Sequence, residues 1–447
     1  MSVYKEDAHY VEKEAILEFV GNPLIAALSG NYSQPDLLRK LTKLPPIQEK
    51  DRFADGADRL NMLTRISAIH IPQVSDLYIA RSLYRCICGG YVSRNPVPFS
   101  ISRQVLEEHN IDVTEDLENY LTRTVFPVYG FSVLGISGVG KTCSVLNALN
   151  IYPKVIQHTE YHGYLFKRAQ LVWLKVDCPG DGTAKGLCSA ILQQIDAVLG
   201  TTYHSEVTNR VSKDVLISKV SYCLKEHYLG VLVIDDIQNL VSAKNEATTD
   251  MLSFLIFLME TLDIPVVMVA TPKVLPFFQR EFQLAKRATG DGTVRMELLK
   301  ENSKEWDRFI TTIWDYLYTK QPVPLTPEMN HIFFEESVGN PFLCSLLFKL
   351  LQDDAITSRR ESFSIDDVKK VAHDKLCITT RMRKNMLAGN DEELRRYEYL
   401  WNTVQMPVLE DVEENSPKPT KAGRETQIAS QIASKLVMTF GIQRRAA

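Results

Sequence analysis

The amino-acid sequence predicts an α/β fold built on a parallel sheet with helices on both faces, and three observations carry that expectation. Residues 131–142, FSVLGISGVGKT, run from apolar β-type residues into a glycine-rich loop that ends in a lysine and a threonine. Residues 230–240, GVLVIDDIQNL, run from apolar residues into two acids. Around these stretches, short β-type runs alternate with longer helical segments, the pattern of parallel strands joined by crossover helices.

The first stretch fits the phosphate-binding pattern GxxxxGK[ST] at Gly135, Gly140, Lys141 and Thr142. Glycines let the backbone curl so that successive N–H groups point at phosphate oxygens, and the helix read from Thr142 through Leu149 adds its positive end. The loop Gly135, Ile136, Ser137, Gly138, Val139, Gly140 with Lys141, Thr142 and Cys143 is therefore expected to hold ATP. Lys141 is expected to reach the β- and γ-phosphates, and Thr142 to hold Mg2+. A chance match in a glycine-rich turn is disfavoured by the strand before it and the helix after it.

In the second stretch, a continuous apolar run reads as a strand buried on both faces, with charge where it emerges at its carboxyl end. Ligands bind at that end. Asp235 is expected in the Mg2+ shell and Asp236 beside it as the group that polarises the attacking water. The plain alternative is that the two acids cap the next helix.

The remaining elements follow in order. Leu171–Val176 is a strand ending at Asp177, Ala184–Leu199 and Val211–Glu226 are helices, Val231–Ile234 is a strand, Asn245–Leu262 a helix, and Pro265–Ala270 a strand closed by Thr271-Pro272. This is the order of an AAA+ or RecA-type core. In such a core the strand between the phosphate loop and the Asp-bearing strand ends in a polar γ-phosphate sensor, so Thr271 is the candidate, unless Thr271-Pro272 simply ends the strand. Arg280, Lys286 and Arg287 lie at a helix-to-loop transition. One of them is either an arginine finger reaching a neighbouring subunit's nucleotide or a solvated basic helix end.

The domain reading places a helical N-terminal region at residues 1–105, beginning with a helix through Glu12–Phe19 and with apolar positions at helical spacing from Asp58 to Leu83. It either recruits a partner or braces the core. The nucleotide-binding core occupies 106–300. A small helical lid occupies 301–380, with helices at Glu305–Lys320, Thr326–Glu336, Phe342–Gln352 and from the Ser364 cap to Leu376. Residues 381–447 read as a tail in which a helix, Gln427–Phe440, follows a Pro-rich linker. That helix is either a docking peptide for a partner or packs back on its own domain.

The formal net charge of −4 argues against a chain that coats nucleic acid indiscriminately and leaves a local basic surface open. The eight cysteines form no CxxC pair and read as buried reduced thiols; Cys86-Ile87-Cys88 is too tight for a zinc half-site. His158-Thr159-Glu160-Tyr161-His162 has its glutamate in the wrong place for HExxH. With no signal-peptide pattern and no apolar run near about 18 residues, a cytoplasmic, prokaryotic protein with no membrane association is expected.

The chain resembles the TnsC/TniB family of AAA+ transposition regulators, relatives of the IstB helper ATPases, over about residues 15–350. Three sets of residues carry the resemblance. The first is the leader Gly21-Asn22-Pro23-Leu24-Ile25-Ala26-Ala27-Leu28 with Arg59-Leu60 and Gly90-Tyr91-Val92-Ser93-Arg94-Asn95-Pro96. The second is GISGVGKT paired with VIDDIQNL. The third is Ala270-Thr271-Pro272-Lys273 with Ala285-Lys286-Arg287-Ala288-Thr289-Gly290. This chain has Asp235-Asp236 where the family usually has Asp-Glu, so slow hydrolysis is expected. It has Lys286-Arg287 where the family has Arg-Arg, which makes Arg287 the better finger candidate.

The resemblance implies an AAA+ P-loop NTPase fold and an ATPase that assembles as a homo-oligomeric ring or helical filament on double-stranded DNA. It implies that this assembly links a TniQ/TnsD-type target selector to TnsA/TnsB-type transposase subunits. Thr183 and Lys185 are the candidate DNA contacts, unless Thr183 only caps a helix and Lys185 is only solvated. Two other readings are a replication-initiator or helicase-loader AAA+ ATPase, disfavoured by the leader, and a STAND-type nucleotide-gated scaffold, which would retain ADP and ignore DNA.

Overall fold

Strand runs with no charged residue inside them have to be buried on both faces, and the chain meets that demand with two layers of helix. The computed structural model describes residues 5–124, 126–205, 211–242, 245–275, 286 and 289–387. A short strand, β1 (Lys5–Asp7), precedes β2 (Phe131–Gly135), the strand that enters the phosphate loop. A hairpin follows, β3 (Val155–Tyr161) and β4 (Tyr164–Leu171), then β5 (Trp173–Asp177), β6 (Val231–Asp235), β7 (Val266–Ala270) and β8 (Thr293–Met296). The central sheet has the order β5-β6-β7-β2-β8, with every pairing parallel. Side chains alternate across it with period two. Leu232, Ile234, Val266 and Met268 face the helices Ala184–Leu199, Lys213–Glu226 and Asn245–Glu260 through Ile191, Val220 and Leu255. Val231, Val233, Val267 and Val269 face the opposite way.

That opposite face is where the N-terminal region packs on the core, the bracing role among the two expected of it. It is covered by the helix Lys141–Leu149 and by Val74–Val92, whose Leu77, Leu83 and Ile87 join Phe131 and Val133 in one cluster. Among the described residues, the core segment supplies the helix Lys141–Leu149 to this face and the N-terminal side supplies Val74–Val92. The leader is also interior. Asn22 caps the turn Pro23–Ala26 and donates to Tyr91 O at 2.8 Å, with Leu24 and Ile25 fully buried. Gly21 has φ +73, and a Cβ there would meet the Ser102 backbone at 2.4 Å. The leader's residue types are thus explained by packing.

The helix expected through Glu12–Phe19 is instead irregular chain with a turn closed by Ile16 N on Lys13 O and one 3-10 turn, Leu17–Phe19. Its polar groups are drawn to the β3–β4 hairpin, which the sequence reading missed. The Glu12 carboxylate accepts from Tyr161 Oη at 2.5 Å and from Gly21 N at 3.1 Å. His158 is buried between Tyr10 Oη (2.9 Å) and Gln170 Oε1 (2.8 Å), and burial pushes its pKa down to about 4. His162 sits in the turn with φ +45, beside Glu108. Six cysteines are buried as expected, whereas Cys143 and Cys377 are exposed. No helix of the described residues is long and apolar enough to cross a membrane.

The lid helices Lys304–Trp314, Pro327–Ser337, Pro341–Thr357 and Ile365–Lys375 pack around Trp306, Trp314, Phe333 and Phe348. Leu63 and Ile66 of the N-terminal segment enter the same cluster. A buried ion pair fixes that junction. Arg59, 2% exposed, donates to both Glu361 oxygens at 2.6 and 2.7 Å and to Tyr318 O at 3.0 Å. The expected tail begins instead as the helix Thr380–Leu387, where Arg383 is buried and donates to Glu336 O at 2.7 Å; its later part, with the helix Gln427–Phe440, lies outside the described residues, which end at Leu387.

Removing one partner from a buried pair strands the other charge, so Arg59→Met is expected to destabilise the lid by about 3 kcal/mol in urea unfolding. The hydrogen bond from Arg59 holds the Glu361 carboxyl below its ordinary 4.5. A lowered acid contributes stability that is present above its unfolded pKa and lost as pH falls through its folded pKa. The wild type should therefore lose lid stability below about pH 4.5, and Arg59→Met should lose much less there.

Candidate nucleotide site

The strand order sets β7 between β2 and β6, so the carboxyl ends of all three lie side by side, where open parallel sheets bind ligands. From β2 the chain enters the phosphate loop, with Gly138 at φ +86 and Gly140 at φ +99. A Cβ on Gly135 would strike Met296 O and one on Gly138 would strike Asn340, whereas one on Gly140 would meet open space. Gly140 therefore borders an open side of the loop, at the start of the Lys141–Leu149 helix.

Lys141 folds back over the loop, Nζ donating to Ile136 O at 3.0 Å. Thr142 Oγ1 donates to Asp235 Oδ2 at 2.8 Å, a contact between residues 93 apart in sequence. Asp235 is buried, and its Oδ1 accepts from Asp236 N at 3.0 Å. Lys175 Nζ lies 3.1 Å from Asp235 Oδ2 and 2.5 Å from Asp177 Oδ1. Burial pulls the Lys175 pKa down, but its hydrogen bond to Asp177 and the charge of Asp235 outweigh burial and leave it raised.

Asp236 takes the left-handed backbone, φ +54, and is exposed. Its Oδ1 accepts from Gln238 Nε2 at 2.9 Å, and Gln238 Oε1 accepts from Thr271 N at 3.2 Å. Thr271, at the end of β7, is 4% exposed, and its Oγ1 is buried with no hydrogen-bond partner.

A cavity of about 260 Å³ opens beside Gly138, Gly140 and Cys143. Its apolar walls come from Ile69 and Ile71 on the N-terminal side and from Phe342 and Leu346 of the lid. Asn340 pins the lid to the loop, donating from Nδ2 to Ser137 O at 3.0 Å while its Oδ1 caps the Pro341–Thr357 helix. Phe342 N donates to Gly138 O at 3.3 Å.

Lys141, Thr142, Asp235, Asp236 and Thr271 thus converge on one end of the sheet. Thr183 is the N-cap of Ala184–Leu199, accepting from Gly186 N at 3.0 Å, and Lys185 is exposed on that helix's first turn. Arg287 and Arg280 lie outside the described residues; Lys286 is exposed. Sequence reasoning missed Lys175, Gln238, Asn340 and the cavity walls. Gln238 and Asn340 had visible signals, the one inside VIDDIQNL and the other in Gly339-Asn340-Pro341 ahead of a helix. Lys175 was hidden in an apolar strand.

The donor set fits a magnesium nucleotide. Loop amides and an ammonium suit phosphate oxygens, and a hydroxyl with a carboxylate suits a hard divalent cation. The Thr271 hydroxyl is a buried group still lacking a partner.

Residues 130–278 match the family described as AAA domain. No curated protein matches the chain. Among solved structures it is similar to the Walker-type ATPase PABY2304 of Pyrococcus abyssi, at 14% identity over 65% of this chain and 75% of that one, with a TM-score of 0.36. It is also similar to the Aeropyrum pernix ORC1 protein solved in complex with DNA, at 15% identity over 75% and 83%, with a TM-score of 0.39. The chain has the AAA+ P-loop NTPase fold, with residues 130–278 as its AAA domain.

Proposed function

We propose that this protein is an ATP-hydrolysing AAA+ regulator of DNA transposition, which assembles on duplex DNA and links a TniQ/TnsD-type target selector to TnsA/TnsB-type transposase subunits. The observation that carries the nucleotide chemistry is the Thr142–Asp235 hydrogen bond beside the partnerless Thr271 hydroxyl. The transposition reading is supported by the sequence resemblance set out above.

In this reading the loop amides and Lys141 hold the β- and γ-phosphates, and Thr142 and Asp235 hold Mg2+. Bound Mg2+ neutralises charge on the phosphate oxygens. Asp236 orients the attacking water. It is one methylene shorter than glutamate and tied to Gln238, which favours slow turnover and a long-lived ATP state. Thr271 senses the terminal phosphate. Arg287 supplies positive charge to a neighbouring subunit's nucleotide, so hydrolysis depends on assembly. Thr183 and Lys185 meet DNA phosphates, contacts that carry no sequence information.

Electron microscopy with duplex DNA and a non-hydrolysed ATP analogue tests the reading. Rings or filaments should require nucleotide, should be absent with Lys141→Ala, and should dissolve steeply with salt. Particles indifferent to DNA would overturn it.

Two substitutions probe the site more finely. Thr271→Val removes a buried hydroxyl with no partner, a group whose burial costs about 1–3 kcal/mol. The melting temperature should hold or rise while ATP turnover falls at least about tenfold, as on loss of one transition-state donor. Asn340→Ala removes a helix cap worth about 1 kcal/mol and the lid's hold on the phosphate loop. Nucleotide affinity measured by calorimetry should fall about tenfold, the equivalent of about 1.4 kcal/mol.

A further inference from the structure

Lys175, at the same sheet end, carries a charge that the proposed chemistry does not use. It pairs with Val233 in the β5–β6 register while Asp177 pairs with Asp235, so alternation of the strands turns Lys175, Asp177 and Asp235 to the same face. Its ammonium, on a side chain only 16% exposed, lies between two unlike carboxylates. Asp235 is 4% exposed, and Asp177 is 73% exposed. The oxygen it approaches on Asp235, Oδ2, is the one that accepts from Thr142 Oγ1. A divalent cation held by Thr142 and Asp235 has to share that oxygen's surroundings with an ammonium.

We infer that Lys175 is a built-in counter-cation of the metal carboxylate, which neutralises Asp235 in the metal-free protein and passes to Asp177 when Mg2+ binds. The inference rests on Thr142 and Asp235 being the metal ligands. Its physical basis is that a buried carboxylate needs a compensating charge at all times. Before the metal arrives Lys175 provides it, and afterwards two cations on one carboxylate repel. Asp177, already 2.5 Å from Nζ and 73% exposed, gives the ammonium a second partner. Lys175 is thus a positioning residue that sets how much Mg2+ the site demands.

The test measures divalent-cation affinity, using the loss of the free Mn2+ electron paramagnetic resonance signal as Mn2+ binds to the full chain loaded with a non-hydrolysed ATP analogue. A like charge a few ångströms away changes the affinity of a charged site by about tenfold or more. Lys175→Met should therefore bind Mn2+ about tenfold tighter than wild type, and Lys175→Arg should stay near wild type. Asp177→Asn, at an exposed position, should bind Mn2+ several-fold more weakly, because the ammonium then remains on Asp235. In chelator, without nucleotide, Lys175→Met should melt at a lower temperature than wild type.

A merely structural ion pair would predict the lower melting temperature without the tighter metal binding. Unchanged or weaker Mn2+ affinity in Lys175→Met, or wild-type affinity in Asp177→Asn, overturns the inference. Asp235→Asn separates the two levels. If it leaves Mn2+ affinity unchanged, the metal-ligand assignment itself fails; if it abolishes binding while Lys175→Met has no effect, only the role of Lys175 fails.

Discussion

A buried carboxylate is the constraint around which this fold is arranged. Asp235 ends the strand next to the sheet's centre, almost wholly removed from water, and an ionised carboxylate in that position is destabilising unless it is charged-paired and hydrogen-bonded. Its partners come from three separated parts of the chain: Thr142 at the start of the helix after β2, Lys175 from β5 and the N–H of Asp236. The parallel order β5-β6-β7-β2 brings these groups to one end of the sheet. The strands β6 and β7 are apolar up to their carboxyl ends, so polar groups concentrate there.

A second polar junction governs how the lid sits on that end. Asn340 serves two structures at once, capping the lid helix through Oδ1 and holding Ser137 O through Nδ2. The Arg59–Glu361 pair fastens the N-terminal segment to the lid. Between these two fixings lies the apolar cavity, walled by the N-terminal segment on one side and the lid on the other. A group placed there would touch both the N-terminal segment and the lid. The same geometry explains why the leader is conspicuous in the sequence. Asn22, Leu24 and Ile25 are interior, and their identities follow from the contact with the Val74–Val92 helix.

The residues around the proposed water-activating group share a restrained character. Asp236 sits in a left-handed conformation that non-glycine residues adopt at some conformational expense, is tethered by Gln238, and stands next to a carboxylate already neutralised from within. Gln238 in turn accepts from the backbone of Thr271, so the ends of β6 and β7 are linked through one side chain.

What the sequence by itself determined is local and periodic. The glycine spacing at 135–140, the Lys141-Thr142 pair, the apolar run into Asp235 and the helix Ala184–Leu199 are each encoded within a few residues, because backbone curl, strand burial and helix capping act over that range. Only the tertiary structure decided what depends on distance through space. It made the Val74–Val92 helix a layer of the core, because one face of the sheet was short of cover. It made Glu12–Phe19 an irregular, turn-rich segment in place of a helix, because Glu12 finds Tyr161 across 149 residues. It placed Lys175 against Asp235, because neighbouring parallel strands in register bring together residues that no pattern in either strand announces. Local signals are short-ranged, whereas the neutralisation of a buried charge is settled by whichever groups the fold brings within a few ångströms.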